Sequence, residues 1–220
     1  MIKKLYIVTC IVLSIAGLSF AAISWMQRYA LQEPPAMANA PVSNGVLVVD
    51  PDNLPELYPV GDFSFTNKDN STFSQDSVTG KVWVGYLFFS TCPSQCPMMT
   101  SNLRPVTDHF ANDERVHFAG FSVDPETDTT EQLTKYAMQY KATNPRWHFL
   151  TAPKENVQKL AVDGFRLGSV DDPQFHSDKM VLVDQAGTIR GYFSGIDTAE
   201  VAQLQTAIQR LLDESTPPAS

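Results

Sequence analysis

The sequence predicts an α/β domain with a mixed central sheet behind a single membrane-type segment. Apolar runs of strand length alternate with helical patterns through the middle of the chain, which is typical of parallel strands joined by crossover helices. A two-strand pattern precedes this region and another follows it, and both should add antiparallel strands to the sheet. With 220 residues, of which 43% are hydrophobic, the chain can form one core of ordinary size.

The N-terminal residues are predicted to cross a membrane once. Residues 5–26 are mostly apolar and uncharged, a length that spans a bilayer. Lys3 and Lys4 lie in residues 1–4 and predict a cytoplasmic N-terminus, so the rest of the chain should face the periplasm from the bacterial inner membrane. The small residues of Ser19-Phe20-Ala21 also allow a cleaved signal segment, although the length of the span favours a retained anchor.

Three further segments complete the predicted organisation. Recurrent prolines make residues 27–60 a semi-stiff linker. Residues 61–212 form the folded domain, and residues 213–220 are a flexible tail. The net charge of −8 and the isoelectric point near 4.9 argue against nucleic acid as a partner.

Strands are predicted where apolar or alternating runs are bounded by turn residues. An N-terminal β-hairpin joins Asp62–Thr66 to Ser71–Phe73 through a polar turn. Three buried strands and then a C-terminal hairpin follow, at residues 82–89, 116–123, 147–150, 180–184 and 188–193. The three buried strands should lie parallel at the centre of the sheet.

Helices are predicted where apolar residues recur every three or four positions. The first follows the strand 82–89, and its Pro105 must face outward or cause a kink. Asp128 and Glu131 resemble a capping box that opens the second helix. Two more helices are predicted near residue 160 and from about residue 198 onward. This order of elements predicts a thioredoxin-like three-layer sandwich.

Two cysteines lie where the first buried strand leads into a helix, in Ser90-Thr91-Cys92-Pro93-Ser94-Gln95-Cys96-Pro97. Functional sites of open α/β sheets lie at this end of the strands. If Pro97 takes the first helical position, Cys96 is the N-cap residue, and the helix dipole should lower the pKa of its thiol. If Pro93 opens a helical turn instead, the two cysteines lie four residues apart on one face. Either geometry brings two sulfurs together at an exposed tip. A structural disulfide or two ordinary buried thiols is the plainer alternative.

The histidines decide whether these sulfurs could belong to a metal site. His117 and His148 fall in apolar strands, which is typical of hydrogen-bonded structural histidines, and His109 has polar neighbours. His176 ends a loop just before a strand, at a junction that packs beside the cysteine turn in thioredoxin-like topology. Two thiolates and one imidazole suit Cu(I), whereas a closed zinc site would want a fourth ligand.

Three segments resemble signatures of the SCO/SenC family, which are copper-binding, thioredoxin-like assembly factors for cytochrome c oxidase. The segment 92–97 is similar to the family's C-P-x-x-C-P motif, and the segment 122–129 is similar to S-V-D-P-x-x-D-T. Phe175-His176-Ser177 and the strand after it resemble the family's His loop. The resemblance covers about residues 55–212, with departures at Phe88, Ser94 and Thr127.

This resemblance implies a membrane-anchored copper chaperone. Its copper ion, Cu(I) and/or Cu(II), would be held by Cys92, Cys96 and His176. The implied partner is the copper domain of cytochrome c oxidase subunit II, whose binuclear centre the chaperone would help to assemble. Other periplasmic copper carriers or thiol reductants are expected as further partners, and the N-terminal helix would hold the protein on the membrane.

Two enzymatic alternatives use the same turn. A thiol–disulfide oxidoreductase would use Cys92 and Cys96 as a redox-active catalytic pair on a partner's cysteines. A peroxiredoxin-like peroxidase would need Thr91 and Arg104 beside one thiol, and their spacing is not convincing. Asp124 could be a further ligand, or it could be a turn residue ahead of proline.

Overall fold

A computed structural model gives the structure of residues 54–167 and 177–214, with two short strand segments at 42–43 and 46–47. All of these residues belong to the unit Ala40–Ser220, one of the two into which the chain divides. The predicted span at 5–26, most of the predicted linker and His176 lie outside the described residues. Among the helices that are described, none is long and apolar enough to cross a membrane.

The strands are β1 Val42–Ser43, β2 Val46–Leu47, β3 Ser64–Asn67, β4 Thr72–Ser74, β5 Val82–Phe88, β6 Val116–Ser122, β7 Trp147–Thr151, β8 Lys179–Val183 and β9 Ile189–Ser194. The helices are α1 Gln75–Val78, α2 Gln95–His109, α3 Thr130–Gln139, α4 Lys154–Lys159 and α5 Thr198–Glu214, and a π-helical turn, Leu160–Gly164, continues α4.

Seven strands form one mixed sheet in the order β4-β3-β7-β6-β5-β8-β9. The central strands β5, β6 and β7 run parallel, as predicted from their buried sequences. The hairpin β3–β4 joins antiparallel to β7, and the hairpin β8–β9 joins antiparallel to β5. Because β5 and β6 end at the same edge, the loops that follow Phe88 and Ser122 come together there.

Helices α2, α3 and α5 cover one face of this sheet. Their apolar residues share a single core cluster with Tyr86 and Phe88 of β5. The opposite face carries an aromatic cluster in which Phe121 contacts Phe63, Phe65, Trp83 and Phe165. The predicted α/β fold with a mixed central sheet is therefore confirmed.

Two local predictions differ from the structure. Helix α3 begins after Thr129, whose hydroxyl accepts a hydrogen bond from the backbone N–H of Gln132. The predicted capping box of Asp128 with Glu131 is wrong, because the Asp128 side chain is fully buried and bonds elsewhere. Helix α1 was not predicted, since four residues are too few to show a helical period.

Candidate metal centre

The cysteine turn connects β5 to α2. Strand β5 ends at Phe88, and α2 begins at Gln95 with Ser94 as its N-cap residue. The prediction that Cys96 is the N-cap is therefore wrong, since Cys96 is the second residue of the helix. Pro97 fits at the third position because the first N–H groups of a helix have no intrahelical partner. The alternative helical turn opening at Pro93 is absent from this described segment as well.

The two cysteines nevertheless lie together. The backbone N–H of Cys96 donates to Sγ of Cys92 over 3.5 Å, and the N–H of Cys92 donates to the carbonyl oxygen of Phe89. Both thiols are free, and the residues are only 5% and 1% exposed. The prediction that the two sulfurs lie at an exposed tip is therefore wrong. Exposed residues of the turn, Thr91, Pro93 and Ser94, form its outer surface, and the sulfurs lie in the interior.

The two thiols differ in acidity. Burial raises the pKa of Cys92, but hydrogen bonds from the N–H groups of Cys96, Ser94 and Gln95 outweigh it, so the pKa is lower than that of an ordinary thiol. Burial raises the pKa of Cys96 to about 12, and the bond to Cys92 adds to the rise. Cys92 is therefore the more acidic of the two thiols. The sequence predicted the lowered pKa for Cys96, and that prediction is wrong because Cys96 points into the core.

Cys96 belongs to a buried cluster that contains hydroxyl groups and aromatic rings. The hydroxyl of Thr100 donates to the carbonyl oxygen of Cys96 over 2.8 Å and bonds to the Tyr136 hydroxyl over 2.8 Å. Tyr136 packs on Phe88 and Phe149 in the same core cluster. Burial and these contacts fix the first turn of α2 and exclude water from the inner side of the site.

The loop after β6 contributes a buried carboxylate beside this turn. Asp128 accepts hydrogen bonds from the backbone N–H of Ser90 and from the hydroxyl of Ser122. Sequence reasoning gave Asp128 the role of a helix cap. Its position near the site could have been predicted from the segment 122–129, which begins at the end of β6, at the same sheet edge as the cysteines.

Asp124 lies in the same loop, and its backbone carbonyl accepts from the N–H groups of Thr127 and Asp128. That bonding is what a turn residue requires. A cavity of about 190 Å³ opens here, lined by Phe89, Val123, Asp124, Pro125, Glu126 and Lys154. Asp124 thus borders a cavity next to the loop that leads to the cysteines.

The histidines separate as the sequence suggested, as far as they are described. His117 and His148 bond to each other, with 3.2 Å between Nδ1 of His117 and Nε2 of His148, and His109 is exposed. His176 lies outside the described residues. Across residues 54–167 and 177–214, no three His, Cys, Asp or Glu side chains are grouped so that they could hold a metal ion. The described part of the candidate site is the pair Cys92 and Cys96.

Known proteins resemble this chain in both sequence and fold. The sequence model of the SCO1/SenC family matches residues 52–213. A SCO1 protein homolog of Bacillus subtilis is 30% identical over 159 residues, which are 70% of this chain and 80% of that protein.

Two solved structures extend the comparison. BsSco, a member of the Sco family of cytochrome c oxidase assembly proteins in which a disulfide switch has been identified, is 27% identical with a TM-score of 0.64, covering 72% of this chain and 95% of that one. ScoI of Arabidopsis thaliana with copper bound shares the fold at 23% identity and a TM-score of 0.57, covering 68% and 98%. From the match over residues 52–213 and the Bacillus subtilis relative, this chain belongs to the SCO1/SenC family.

Proposed function

We propose that this protein is a membrane-anchored copper chaperone that binds copper through Cys92, Cys96 and His176. It would deliver the ion to the copper domain of cytochrome c oxidase subunit II. The observation that carries the proposal is the pairing of Cys92 and Cys96, whose sulfurs lie at one helix end in a water-poor setting. Soft thiolates select Cu(I), and an imidazole completes a three-coordinate site.

The chain around β8 supports His176 as the third ligand. Strand β8 pairs antiparallel with β5, with Met180 opposite Tyr86, so the chain enters β8 from the edge where β5 leads to the cysteines. The carbonyl oxygen of Asp178 accepts from Gly195 N–H, and the carbonyl oxygen of Gly195 accepts from the Asn102 amide of α2. The described chain that follows residue 176 is therefore bonded, through Gly195, to the middle of α2, and this supports the choice of His176.

The donor set also suits loading and release. Binding requires both thiols to lose their protons, and the hydrogen bonds that lower the pKa of Cys92 make its thiol the more acidic of the two. The pKa of Cys96 is high, so its thiol gives up its proton less readily. While it keeps that proton, the Cys96 sulfur is the weaker copper ligand of the two. A predicted anchor at residues 5–26 would hold the domain at the periplasmic face of the membrane, beside the membrane-bound oxidase.

The test is copper binding by the full chain in detergent, with Cys10→Ser so that only two thiols remain. Cu(I) affinity is measured by competition with a coloured chelator. Cys92→Ser, Cys96→Ser and His176→Ala should each weaken binding by more than about 100-fold, the upper end for losing a group that only orients a ligand. His109→Ala is the matched control, because His109 is exposed. Unchanged affinity in all three variants would exclude this site.

A second function, thiol–disulfide exchange, is favoured by the asymmetry of the two thiols. The Cys92 thiolate would attack a partner's disulfide and release one partner thiolate, forming a mixed disulfide. Cys96 would then lose its proton and attack Cys92, which releases the second partner thiolate and leaves a Cys92–Cys96 disulfide. A thiol reductant would have to restore the dithiol. Cys96→Ser protein should trap the mixed disulfide with subunit II, and Cys92→Ser protein should not.

The peroxidase alternative has little support. Arg104 lies two turns beyond Cys96 on the exposed side of α2, where it pairs with Asp108 over 3.5 Å. A peroxidatic thiol would need that cation beside it.

A further inference from the structure

One buried carboxylate connects the two loops that form the candidate site. Asp128 is 0% exposed and lies between β6 and α3. Its oxygens accept from the Ser90 N–H over 3.0 and 3.3 Å, and one of them accepts from the Ser122 hydroxyl over 2.5 Å. Ser90 belongs to the loop that leads to Cys92, and Ser122 is the last residue of β6.

Each of these contacts is strong for a physical reason. A buried carboxylate is costly unless donors satisfy it, and charge-assisted hydrogen bonds are roughly twice as strong as neutral ones. The Ser122 hydroxyl also accepts from the N–H of Asp124, so it connects the carboxylate to the loop that borders the cavity. Asp128 is therefore hydrogen-bonded, directly or through Ser122, to both loops.

The Ser90 end of this connection is held twice. Besides its N–H bond to Asp128, the Ser90 hydroxyl accepts from the Gln132 amide of α3 over 3.1 Å. Two residues later, the N–H of Cys92 donates to the Phe89 carbonyl. The path from Ser90 to Cys92 is thus short and bonded at each end, so the position of Ser90 sets where the Cys92 sulfur lies.

We propose that Asp128 is a positioning residue that fixes Cys92 against Cys96 and so sets how readily the two sulfurs act together. Insofar as it concerns copper, this inference rests on the proposed function. Asp128 touches neither sulfur in any described contact, and its effect passes through Ser90. Loss of the carboxylate releases the Ser90 N–H, lets the Cys92 loop shift, and weakens both joint chemistries of the pair, disulfide closure and metal chelation.

The experiment measures those two chemistries separately in the full chain with Cys10→Ser. Disulfide closure is read from the equilibrium with glutathione, in which one oxidised glutathione takes two electrons and two protons from the dithiol and yields two reduced glutathiones. Copper chelation is read by chelator competition. Asp128→Ala should lower the closure constant and the Cu(I) affinity each by about tenfold, the scale for losing a group that orients a ligand.

Two further variants grade the effect and control for stability. Asp128→Asn keeps the shape and one accepting oxygen for Ser90, so its effect should be smaller than that of alanine. Asn144→Ala is the matched control, because the Asn144 amide is also buried and donates to the carbonyl oxygen of Thr107, in the last turn of α2 and away from the cysteine turn. It should reduce stability and leave both constants within about twofold of the wild type, because site geometry is unaffected by distant changes.

The outcomes separate this inference from the copper proposal. If folded Asp128→Ala protein has wild-type closure and copper constants, Asp128 is not a positioning residue, whatever the wild type binds. If the wild type fails to bind copper but Asp128→Ala lowers the closure constant, the positioning role stands and the copper proposal falls. If Asp128→Ala protein does not fold, Asp128→Asn and Gln132→Ala decide, and wild-type closure constants in both overturn the inference.

Discussion

The backbone N–H of Cys96 points at the sulfur of Cys92 across 3.5 Å. This contact makes the two cysteines unequal, since one sulfur accepts hydrogen bonds from the helix start and the other belongs to a residue buried in the core. An N–H donor stabilises a thiolate but not a thiol. The turn therefore pairs a more acidic thiol, that of Cys92, with a less acidic one, that of Cys96.

The first prediction concerns alkylation of these two thiols. In Cys10→Ser protein at neutral pH, iodoacetamide should modify Cys92 before Cys96. We expect a rate ratio of at least about tenfold, because each unit of pKa is tenfold in thiolate fraction and Cys96 is also the more deeply buried. Peptide mass spectrometry of quenched samples gives both rates. Equal rates in the folded protein would show that the hydrogen bonds at Cys92 do not control its acidity.

The sequence predicted more of the fold than of the site. Buried runs such as 82–89 are distinctive because central parallel strands are apolar on both faces, and the structure confirms Val82–Phe88. Periodicity also predicted α2, and Pro105, for which either a kink or an outward position was expected, is exposed. These features depend on residues close together in the chain.

The site depends on contacts that local patterns do not encode. The motif located Cys92 and Cys96, but two prolines fit several helix starts, so the identity of the N-cap and of the acidic thiol could not be derived. Asp128 looks like a helix cap by its spacing to Glu131. Its real partners, Ser90 and Ser122, are brought to it by strand pairing between β5 and β6.

The second prediction tests the hydroxyl pair behind Cys96. Tyr136→Phe removes one partner of Thr100 and should lower the free energy of unfolding by about 1 kcal/mol. Thr100→Val should cost more, about 1–3 kcal/mol, because it leaves the buried Tyr136 hydroxyl without this partner. Urea unfolding followed by fluorescence measures both. Tyr140→Phe is the control, because Tyr140 is partly exposed and its hydroxyl has only a 3.5 Å contact with the Gln139 amide. If Tyr140→Phe lowered the free energy of unfolding as much as Thr100→Val, burial of the hydroxyl pair would not explain the cost.

The third prediction concerns the residues that join the predicted linker to the domain. The Arg190 guanidinium donates to the carbonyl oxygens of Leu54 and Pro55 and pairs with Asp184 over 3.2 Å. Arg190→Ala should lower the free energy of unfolding by about 3 kcal/mol, because it leaves a buried carboxylate without its cation. It should also expose the segment around Leu54 to limited proteolysis.

Arg210→Ala is the matched control for Arg190. Arg210 pairs with Glu214 over 3.2 Å on the surface of α5, and such exposed pairs contribute less than about 1 kcal/mol. Equal effects of the two substitutions would show that the Arg190 contacts do not hold the segment. Cleavage near Leu54 at the wild-type rate in Arg190→Ala protein would show the same.

The last prediction follows from the histidine pair on the sheet. The Asn67 carbonyl oxygen accepts from the N–H groups of Lys68 and Phe149, so its amide nitrogen faces Nδ1 of His148. That contact leaves the His148 proton on Nε2, which donates to Nδ1 of His117. Both rings are therefore neutral in the bonded arrangement, and adding a proton to His148 would set two donors against each other.

The acidity of the pair agrees with this arrangement. Burial lowers the pKa of His117 to about 4, with a further contribution from the charges of Arg146 and Lys81. Burial likewise lowers the pKa of His148 to about 3, aided by His117, Lys68 and Arg146 and opposed by Asp69. Because both folded-state values lie below the ordinary 6.5, the unfolded chain binds more protons below that pH.

Stability from this pair should therefore be complete above about pH 6.5 and decrease as the pH falls towards 4. Between about pH 7 and pH 5 we expect a loss of about 2 kcal/mol, after allowing for the partial exposure of both rings. The double variant His117→Gln, His148→Gln should lose less stability over the same pH range, whatever its stability at pH 7.

Urea unfolding at several pH values measures the slope of the free energy of unfolding against pH. Subtracting the slopes of the two proteins cancels the contribution of the carboxylates common to both. His109→Gln, at an exposed histidine, should keep the wild-type slope. If the double variant also kept the wild-type slope, the two imidazoles would have to be protonated in the folded protein. The hydrogen-bond chain from Asn67 could then not run in the direction inferred.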